Sequence, residues 1–183
     1  RAESALAALA GDTAGKVPGL YMEAAGLLED DPDQDLLGVV YTELGLGDAR
    51  RGQFFTPYNV CKMMAKMTVG DKGCLEAAIE EKGFVTVADP TCGCGAMLVA
   101  AANHMREEGV DYQAHAFFDA QDIDELTAIT CYVQMSLLGM AGRVAIGDSL
   151  TGDVRHELHT PMMVLSDAWA LRALVARTKA LGR

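Results

Sequence analysis

The sequence predicts an α/β fold, a mostly parallel sheet with flanking helices, preceded by a small helical lobe. Half of the 183 residues are apolar and 22% are charged, which suits one compact domain with an accessory lobe. Residues 84–146 alternate between β-rich and helical segments. An acidic, helix-rich segment comes before them. A strand-helix-strand-helix-strand run forms a parallel sheet with right-handed crossovers.

Residues 1–51 are predicted to form the acidic helical lobe, and residues 52–183 the main domain. The lobe is interpreted as short helices, interrupted at Gly11, Gly15, Pro18 and Pro32. One helical face needs a partner surface, which we expect the main domain to provide; it carries Leu36, Leu37, Val40 and Leu44.

Two helices are predicted at the start of the main domain. Thr56 is a good N-cap, and Pro57 suits the first helical position. An apolar stripe follows at helical spacing and is expected to face the core; it comprises Val60, Met63, Met64 and Met67. The second helix is predicted from Asp71 to about Lys82 and is ended by Gly83.

The predicted strands cover residues 84–88, 114–120 and 143–146. Gly95 opens the helix after the first strand. The helix after the second strand has an apolar face that carries Ile123, Leu126, Ile129, Val133 and Leu137. A fourth apolar run covers residues 161–165, and a further helix is expected from Asp167 to Leu181.

Charge and cysteine content exclude several classes of function. The formal net charge of −11 argues against a chain that binds nucleic acid unaided, so DNA contacts must be local or shared. The longest uncharged stretch, residues 126–142, is too short and too polar to span a membrane, and we expect no signal peptide. Five cysteines favour a reduced, cytoplasmic protein. Cys92 and Cys94 are expected to be buried thiols, with no metal bound.

Three acidic residues follow the three predicted strands: Asp89, Asp122 and Asp148. The carboxyl ends of such strands bind ligands, and the glycines of residues 89–95 allow a close backbone approach. Leu98 stands where a dinucleotide fingerprint has its third glycine, and the Lys-Ser/Thr ending of a P-loop is missing. An acid at the second strand suits a ribose diol, and an acid before the turn suits a cation. S-adenosylmethionine (AdoMet) combines both features.

Two motifs carry a family resemblance: Gly52-Gln53-Phe54-Phe55-Thr56-Pro57 and Asp89-Pro90-Thr91-Cys92-Gly93-Cys94-Gly95. Together and in this order, they resemble the AdoMet-binding half of the N6-adenine DNA methyltransferases. The closest resemblance is to the modification subunits of type I restriction systems, over about residues 52–148. It implies a Rossmann-like AdoMet-dependent methyltransferase fold.

The resemblance also implies a role for each matching residue. The wall around the methionine part of AdoMet would comprise Phe54, Phe55, Thr56 and Pro57. The loop beneath it would comprise Asp89, Pro90, Cys92, Gly93 and Gly95. Asp122, with Ile123 beside it, would bind the ribose, and Asp148, with Ser149, would accept from the adenine amino group. Each of the three acids could instead cap a turn or helix.

These methyltransferases carry an Asn/Asp-Pro-Pro-Tyr/Phe tetrad, which this chain lacks. The tetrad accepts hydrogen bonds from the target amino group and stacks on the flipped base. The candidate replacement is Ser166-Asp167-Ala168-Trp169, in which Asp167 or Ser166 would accept and Trp169 would stack. An equally good interpretation is a helix N-cap followed by a buried tryptophan. We therefore expect the domain to be truncated or degenerate after about residue 150.

The leading hypothesis is methyl transfer from AdoMet to adenine N6 in DNA. No target-recognition domain fits in the remaining chain, so a separate subunit would recognise DNA, in a homo- or hetero-oligomer. The basic tail from Arg155 could serve as a docking surface or be a solvated helix. One alternative is a non-catalytic AdoMet-binding or restriction-modification subunit-like protein. Another is methylation of RNA, protein or a small molecule.

Overall fold

The computed structural model describes residues 12–47, 55–166 and 169, and it is a mixed α/β structure. The helices are α1 (Asp12–Asp30), α2 (Leu36–Glu43), α3 (Tyr58–Thr68), α4 (Lys72–Lys82), α5 (Ala96–Glu107), α6 (Tyr112–His115), α7 (Glu125–Leu137) and α8 (Pro161–Leu165). The strands are β1 (Val85–Asp89), β2 (Ala116–Asp122), β3 (Gly142–Asp148) and β4 (Asp153–His159).

The four strands form one sheet in the order β1-β2-β3-β4. The first three are parallel, with Val87 opposite Phe118 and Ala120 opposite Val144. These are the three strands that the sequence predicts. The fourth was not predicted: β4 runs antiparallel to β3 and is almost fully exposed, so it lacks an apolar pattern. The sheet is therefore mostly parallel with one antiparallel edge strand.

The main core lies between one face of the sheet and helices α5 and α7. The sheet side of this core includes Phe118, Val144 and Ile146, and the helix side includes Leu98 and Met135. Both crossover helices cover the same face because the strands advance in one direction and each crossover is right-handed. Buried side chains of this kind supply most of the stability of a small domain.

The second face of the sheet has a different character over the described residues. Thr86 and Ala88 of β1 are exposed on it. Arg143 of β3 forms ion pairs across this face with Asp119 of β2 and Glu157 of β4, each at 2.8 Å. A parallel sheet that is covered by helices on both faces carries apolar side chains on both. This second face instead carries charged and exposed residues.

The helical lobe differs from its prediction in two ways. Helix α1 continues through Gly15 and Pro18, and the chain breaks only at Asp31-Pro32. Helix α2 buries Gly38 and Tyr41, whereas Val40 of the predicted apolar face is exposed. Leu36, at the start of the predicted face, packs against the main core, so the prediction is wrong only toward the end of the helix. There the main domain contacts α2 through one aromatic ring rather than an aliphatic stripe.

The methionine stripe of α3 is also not a core face. Met63, Met64 and Met67 are exposed, whereas Cys61 and Ala65 are buried. These two small side chains pack against Ala100 and Ala101 of α5. Small residues on both sides let two helices approach closely, and this contact turns the methionines outward.

Further predictions concern the helices and the chain's division into domains. Helix α4 matches its prediction, with Asp71 as N-cap and Gly83 as C-cap. The fourth apolar run forms the short helix α8. The helix expected over 167–181 lies outside the described residues except for Trp169. The domain division at residue 51 stays a prediction. No helix in the described part of the chain is long and apolar enough to cross a membrane.

The close contact between α3 and α5 generates a stability prediction. Ala65→Leu is expected to lower the free energy of unfolding by about 1–3 kcal/mol, because the larger side chain overpacks the helix contact. Met67→Ala, at a residue 77% exposed, is the control and should change it by less than about 0.5 kcal/mol. Urea denaturation measures both. A larger loss in the Met67 variant would show that the methionine stripe faces the core after all.

Candidate cofactor site

The carboxyl ends of the parallel strands border one cavity of about 800 Å³. Asp89, Asp122 and Asp148 are the last residues of β1, β2 and β3, and all three line this cavity. At this edge of an α/β sheet, the turns present backbone N–H groups to a ligand. The structure therefore brings together the three carboxylates that the sequence places at the strand ends.

The turn between β1 and α5 forms the floor of the site and depends on two glycines. Gly93 and Gly95 have φ values of +52° and +96°, which other residues adopt only with strain. A Cβ on Gly95 would lie 2.8 Å from the Sγ of Cys131 in α7. A Cβ on Gly93 would lie 3.3 Å from the Phe55 ring. The glycines thus let the turn pass between α7 and Phe55.

The Asp122 carboxylate connects this turn to the end of β2. Its Oδ2 accepts a hydrogen bond from the Gly93 N–H at 2.8 Å, and its Oδ1 accepts one from the Asp124 N–H at 2.9 Å. Asp122 does not cap α7, since Asp124 is the N-cap of that helix. A carboxylate has about four acceptor positions, so Asp122 retains capacity for a ligand hydroxyl.

Asp89 and Asp148 both stabilise the turns that follow them. Asp89 accepts from the Thr91 N–H at 3.1 Å, and Asp148 accepts from the Leu150 N–H at 2.9 Å. Burial raises the pKa of the Asp89 carboxyl, the hydrogen bond from Thr91 opposes this shift, and the Asp122 charge adds to it. The turn-capping roles and a ligand-binding role are compatible, because each carboxylate also faces the cavity.

The cavity lining is acidic. Asp124 adds a fourth carboxylate, and the lining residues in the described part of the chain include no Lys, Arg or His. A negatively charged cavity attracts cations and repels phosphate groups. This arrangement fits a cationic nucleoside better than a nucleotide.

The thiols at the site are not arranged for catalysis. Cys92 and Cys94 are buried in the turn, and burial raises the pKa of the Cys94 thiol to about 12. A hydrogen bond with Cys131 and burial also raise the pKa of the Cys92 thiol. Thiols with raised pKa values remain protonated and are poor nucleophiles. Within the described residues, no cluster of three or more His, Cys, Asp or Glu could hold a metal.

The other predicted cofactor residues fall into three groups. The cavity lining includes Phe55, Thr56, Pro90, Cys92, Gly93, Ile123 and Ser149. Pro57 and Gly95 do not line it and instead are the N-caps of α3 and α5. Phe54 lies outside the described residues. The binding roles of all these residues stay predictions.

Sequence reasoning missed several residues that line the cavity: Cys61, Thr91, Cys94, Ala96, Met97, Asp124, Thr127 and Leu150. Most are immediate neighbours of predicted residues, so their proximity along the chain was an available signal. Cys61 and Thr127 lie within helices, and no local pattern marks them. The placement of α3 and α7 beside the turn brings them to the cavity.

The candidate catalytic residues are not brought to the cavity. Trp169 is 2% exposed, and its Nε1–H donates to the Gln113 carbonyl oxygen at 2.9 Å. Its indole packs against Phe84 and Phe117 near the amino ends of β1 and β2. That end of the sheet is opposite the cavity, so the predicted stacking role does not fit this placement. Asp167 lies outside the described residues.

A comparison with protein families finds a match for this chain. The family model described as N-6 DNA Methylase matches residues 33–168 of the sequence. This range includes every described residue that lines the cavity. Searches of curated proteins and of solved structures found no match.

The turn glycines generate a prediction with a matched control. Gly95→Ala combines positive-φ strain with a clash against Cys131, whereas Gly83→Ala has a similar φ of +85° and open space around its Cβ. Positive φ in a non-glycine residue costs about 1–2 kcal/mol, so Gly83→Ala should lose about that much and Gly95→Ala clearly more. Thermal or urea denaturation compares the two. Equal losses would mean that the turn does not pack tightly on α7.

The buried thiols generate a second prediction. All five cysteines are free, and Cys74 alone is exposed. At about pH 8, iodoacetamide should label Cys74 first and reach the other four only after unfolding, because alkylation needs an accessible thiolate. Mass spectrometry of native and denatured samples measures the labelling. Native labelling of Cys92 or Cys94 as fast as that of Cys74 would contradict the site's packing.

Proposed function

Because the chain belongs to the N-6 DNA methylase family, we propose that it methylates adenine N6 in DNA and binds AdoMet in the cavity at the carboxyl edge. The observation that carries the proposal is the acidic cavity, where a glycine turn meets three strand-end carboxylates. The fold proposed is the Rossmann-like methyltransferase fold, for which the three parallel strands and their crossover helices are the support.

The residues present fit the chemical groups of AdoMet. The free acceptor capacity of Asp122 suits a ribose diol, and Asp148 suits an amino group of an adenine ring. Phe55 and Thr56 offer a wall beside the turn for the methionine part. The carboxylate lining compensates a positive charge, and the cavity of about 800 Å³ lies within the range of small-molecule sites.

AdoMet, when bound, supplies an electrophilic methyl group. The chain's own contribution is to bind and orient, since the turn is fixed by backbone hydrogen bonds before any ligand arrives. Preorganised groups of this kind lower a barrier without reorganisation during the reaction. Of the residues expected to accept from the target amine or stack on the base, Ser166 and Trp169 do not line the cavity, and Asp167 lies outside the described residues.

DNA recognition is proposed to come from a separate subunit, as in type I modification systems. The chain itself is proposed to form a homo- or hetero-oligomer. The formal net charge of −11 supports this division, because phosphate contacts require Lys and Arg side chains. Five free cysteines are in keeping with action in the cytoplasm.

The second candidate function is a non-catalytic AdoMet-binding subunit. The observation that favours it is the position of Trp169, which is buried at the amino end of the sheet and thus far from any base at the cavity. The missing tetrad supports it as well. The two candidates share the cofactor site and differ only in the transfer step.

Calorimetric titration of AdoMet tests the shared site. Asp122→Ala should weaken binding about tenfold or more, because it removes a charged acceptor and the bond that holds Gly93. Asp111→Ala is the control, since Asp111 caps α6 at the other end of the sheet and should leave the affinity unchanged. If the folded wild type shows no saturable binding, the cofactor proposal is wrong.

A methylation assay then separates the two candidates. Wild-type protein, DNA and labelled AdoMet are combined with and without candidate recognition subunits. N6-methyladenine in the product establishes the enzyme. AdoMet binding without any methyladenine under all conditions favours the non-catalytic subunit.

A further inference from the structure

A buried glutamine lies behind the glycine turn. Gln134 of α7 is fully buried, with no exposed side-chain surface. Its Nε2 donates to the Cys94 carbonyl oxygen at 3.2 Å and to Asp35 Oδ1 at 2.8 Å. Its Oε1 accepts from the Leu37 N–H at 2.8 Å. A buried amide with three partners is costly to disturb, because each lost bond leaves another buried polar group unsatisfied.

These three bonds join parts of the chain that are far apart in sequence. Asp35 and Leu37 form the start of α2 in the helical lobe, 99 and 97 residues before Gln134. Cys94 lies between the two glycines of the turn and lines the cavity. Gln134 therefore bonds to the helical lobe through two hydrogen bonds and to the floor of the cavity through the third.

Asp35 is prepared for this contact by its own helix. Its carboxylate caps α2 by accepting from the Gly38 N–H at 3.2 Å. A Cβ at Gly38 would lie 2.1 Å from Asp35 Oδ2, so only glycine leaves room for the carboxylate. The Asp35 Oδ1 atom, which accepts the hydrogen bond from Gly38, also accepts one from Gln134 Nε2. The start of α2 and the position of Gln134 are thus interdependent.

A second contact, separate from Gln134, also connects α2 to the turn. Tyr41 of α2 packs edge-on against Phe55, with ring centroids 5.4 Å apart, and the Phe55 ring lies beside Gly93. No residue of α2 lines the cavity. Two connections from the cavity to α2 thus run through the turn to Gln134 and through Phe55 to Tyr41.

We propose that Gln134 is a positioning residue that couples docking of α2 to the conformation of the Gly93–Gly95 turn, and hence to AdoMet binding. A ligand that fixes the turn also favours the state in which Cys94 and Asp35 share Gln134. Such coupling is reciprocal, so a docked lobe strengthens ligand binding by the same factor. The inference rests on the proposed function, because AdoMet is the ligand whose binding it couples to α2.

Hydrogen exchange of the α2 backbone amides tests the coupling. In the wild type, saturating AdoMet should slow exchange over residues 36–43, although these residues do not line the cavity. Gln134→Met keeps an unbranched side chain of similar length and lacks both donors. In this variant, AdoMet should still slow exchange at the start of α5 but no longer in α2, and its affinity should fall about tenfold.

Ser136→Ala is the matched control within α7. It removes a hydrogen bond from Ser136 to the Tyr132 carbonyl oxygen, which contacts neither the lobe nor the turn. Its α2 response to AdoMet should equal that of the wild type. A general loss of stability would change the basal exchange rates and leave the response to AdoMet in place.

The outcomes separate this inference from the proposed function. If AdoMet binds the wild type but leaves α2 exchange unchanged, the coupling is wrong and the cofactor site stands. The same conclusion follows if Gln134→Met retains the full α2 response. If AdoMet does not bind the wild type, the proposed function fails and the coupling fails with it. An unchanged α2 exchange in the wild type overturns the proposal whether or not the Gln134 variant folds.

Discussion

The turn between β1 and α5 is the constraint on which the rest of the site depends. Its backbone reverses within a few residues and uses positive φ at Gly93 and Gly95. Such a turn is held only if its polar groups have partners. Asp122 accepts from Gly93, the Gln121 carbonyl accepts from Cys92, and Gln134 donates to Cys94. Strand β2, helix α7 and, through Gln134, the helical lobe all meet at this short segment.

The three strand-end carboxylates stabilise the turns of the fold and also border the cavity. Asp89 and Asp148 each accept a hydrogen bond from a backbone N–H in the turn that follows their own strand. Asp122, at the end of β2, accepts one from a backbone N–H in the turn that follows β1. These bonds orient the carboxylates toward a common cavity before a ligand is present. The negative field they create is unfavourable to phosphate and favourable to a cation.

The cavity and the one tryptophan lie at opposite edges of the sheet. The cavity lies at the carboxyl edge, at the ends of β1, β2 and β3. The one tryptophan is buried at the amino edge, between Phe84 and Phe117. Its aromatic surface contributes to packing there, and the second face of the sheet beside it carries the Arg143 ion pairs.

The sequence by itself determined the local features: the three parallel strands, α4 with its caps, and the strand-end acids beside a glycine turn. These follow from short-range rules of alternation, capping and glycine conformation. Tertiary structure decided which helix faces are buried. Cys61, Gly38 and Gln134 face inward while Met67 and Val40 face solvent. Close contacts between helices select small or hydrogen-bonding residues, and that choice depends on partners about 100 residues away, which no local pattern contains.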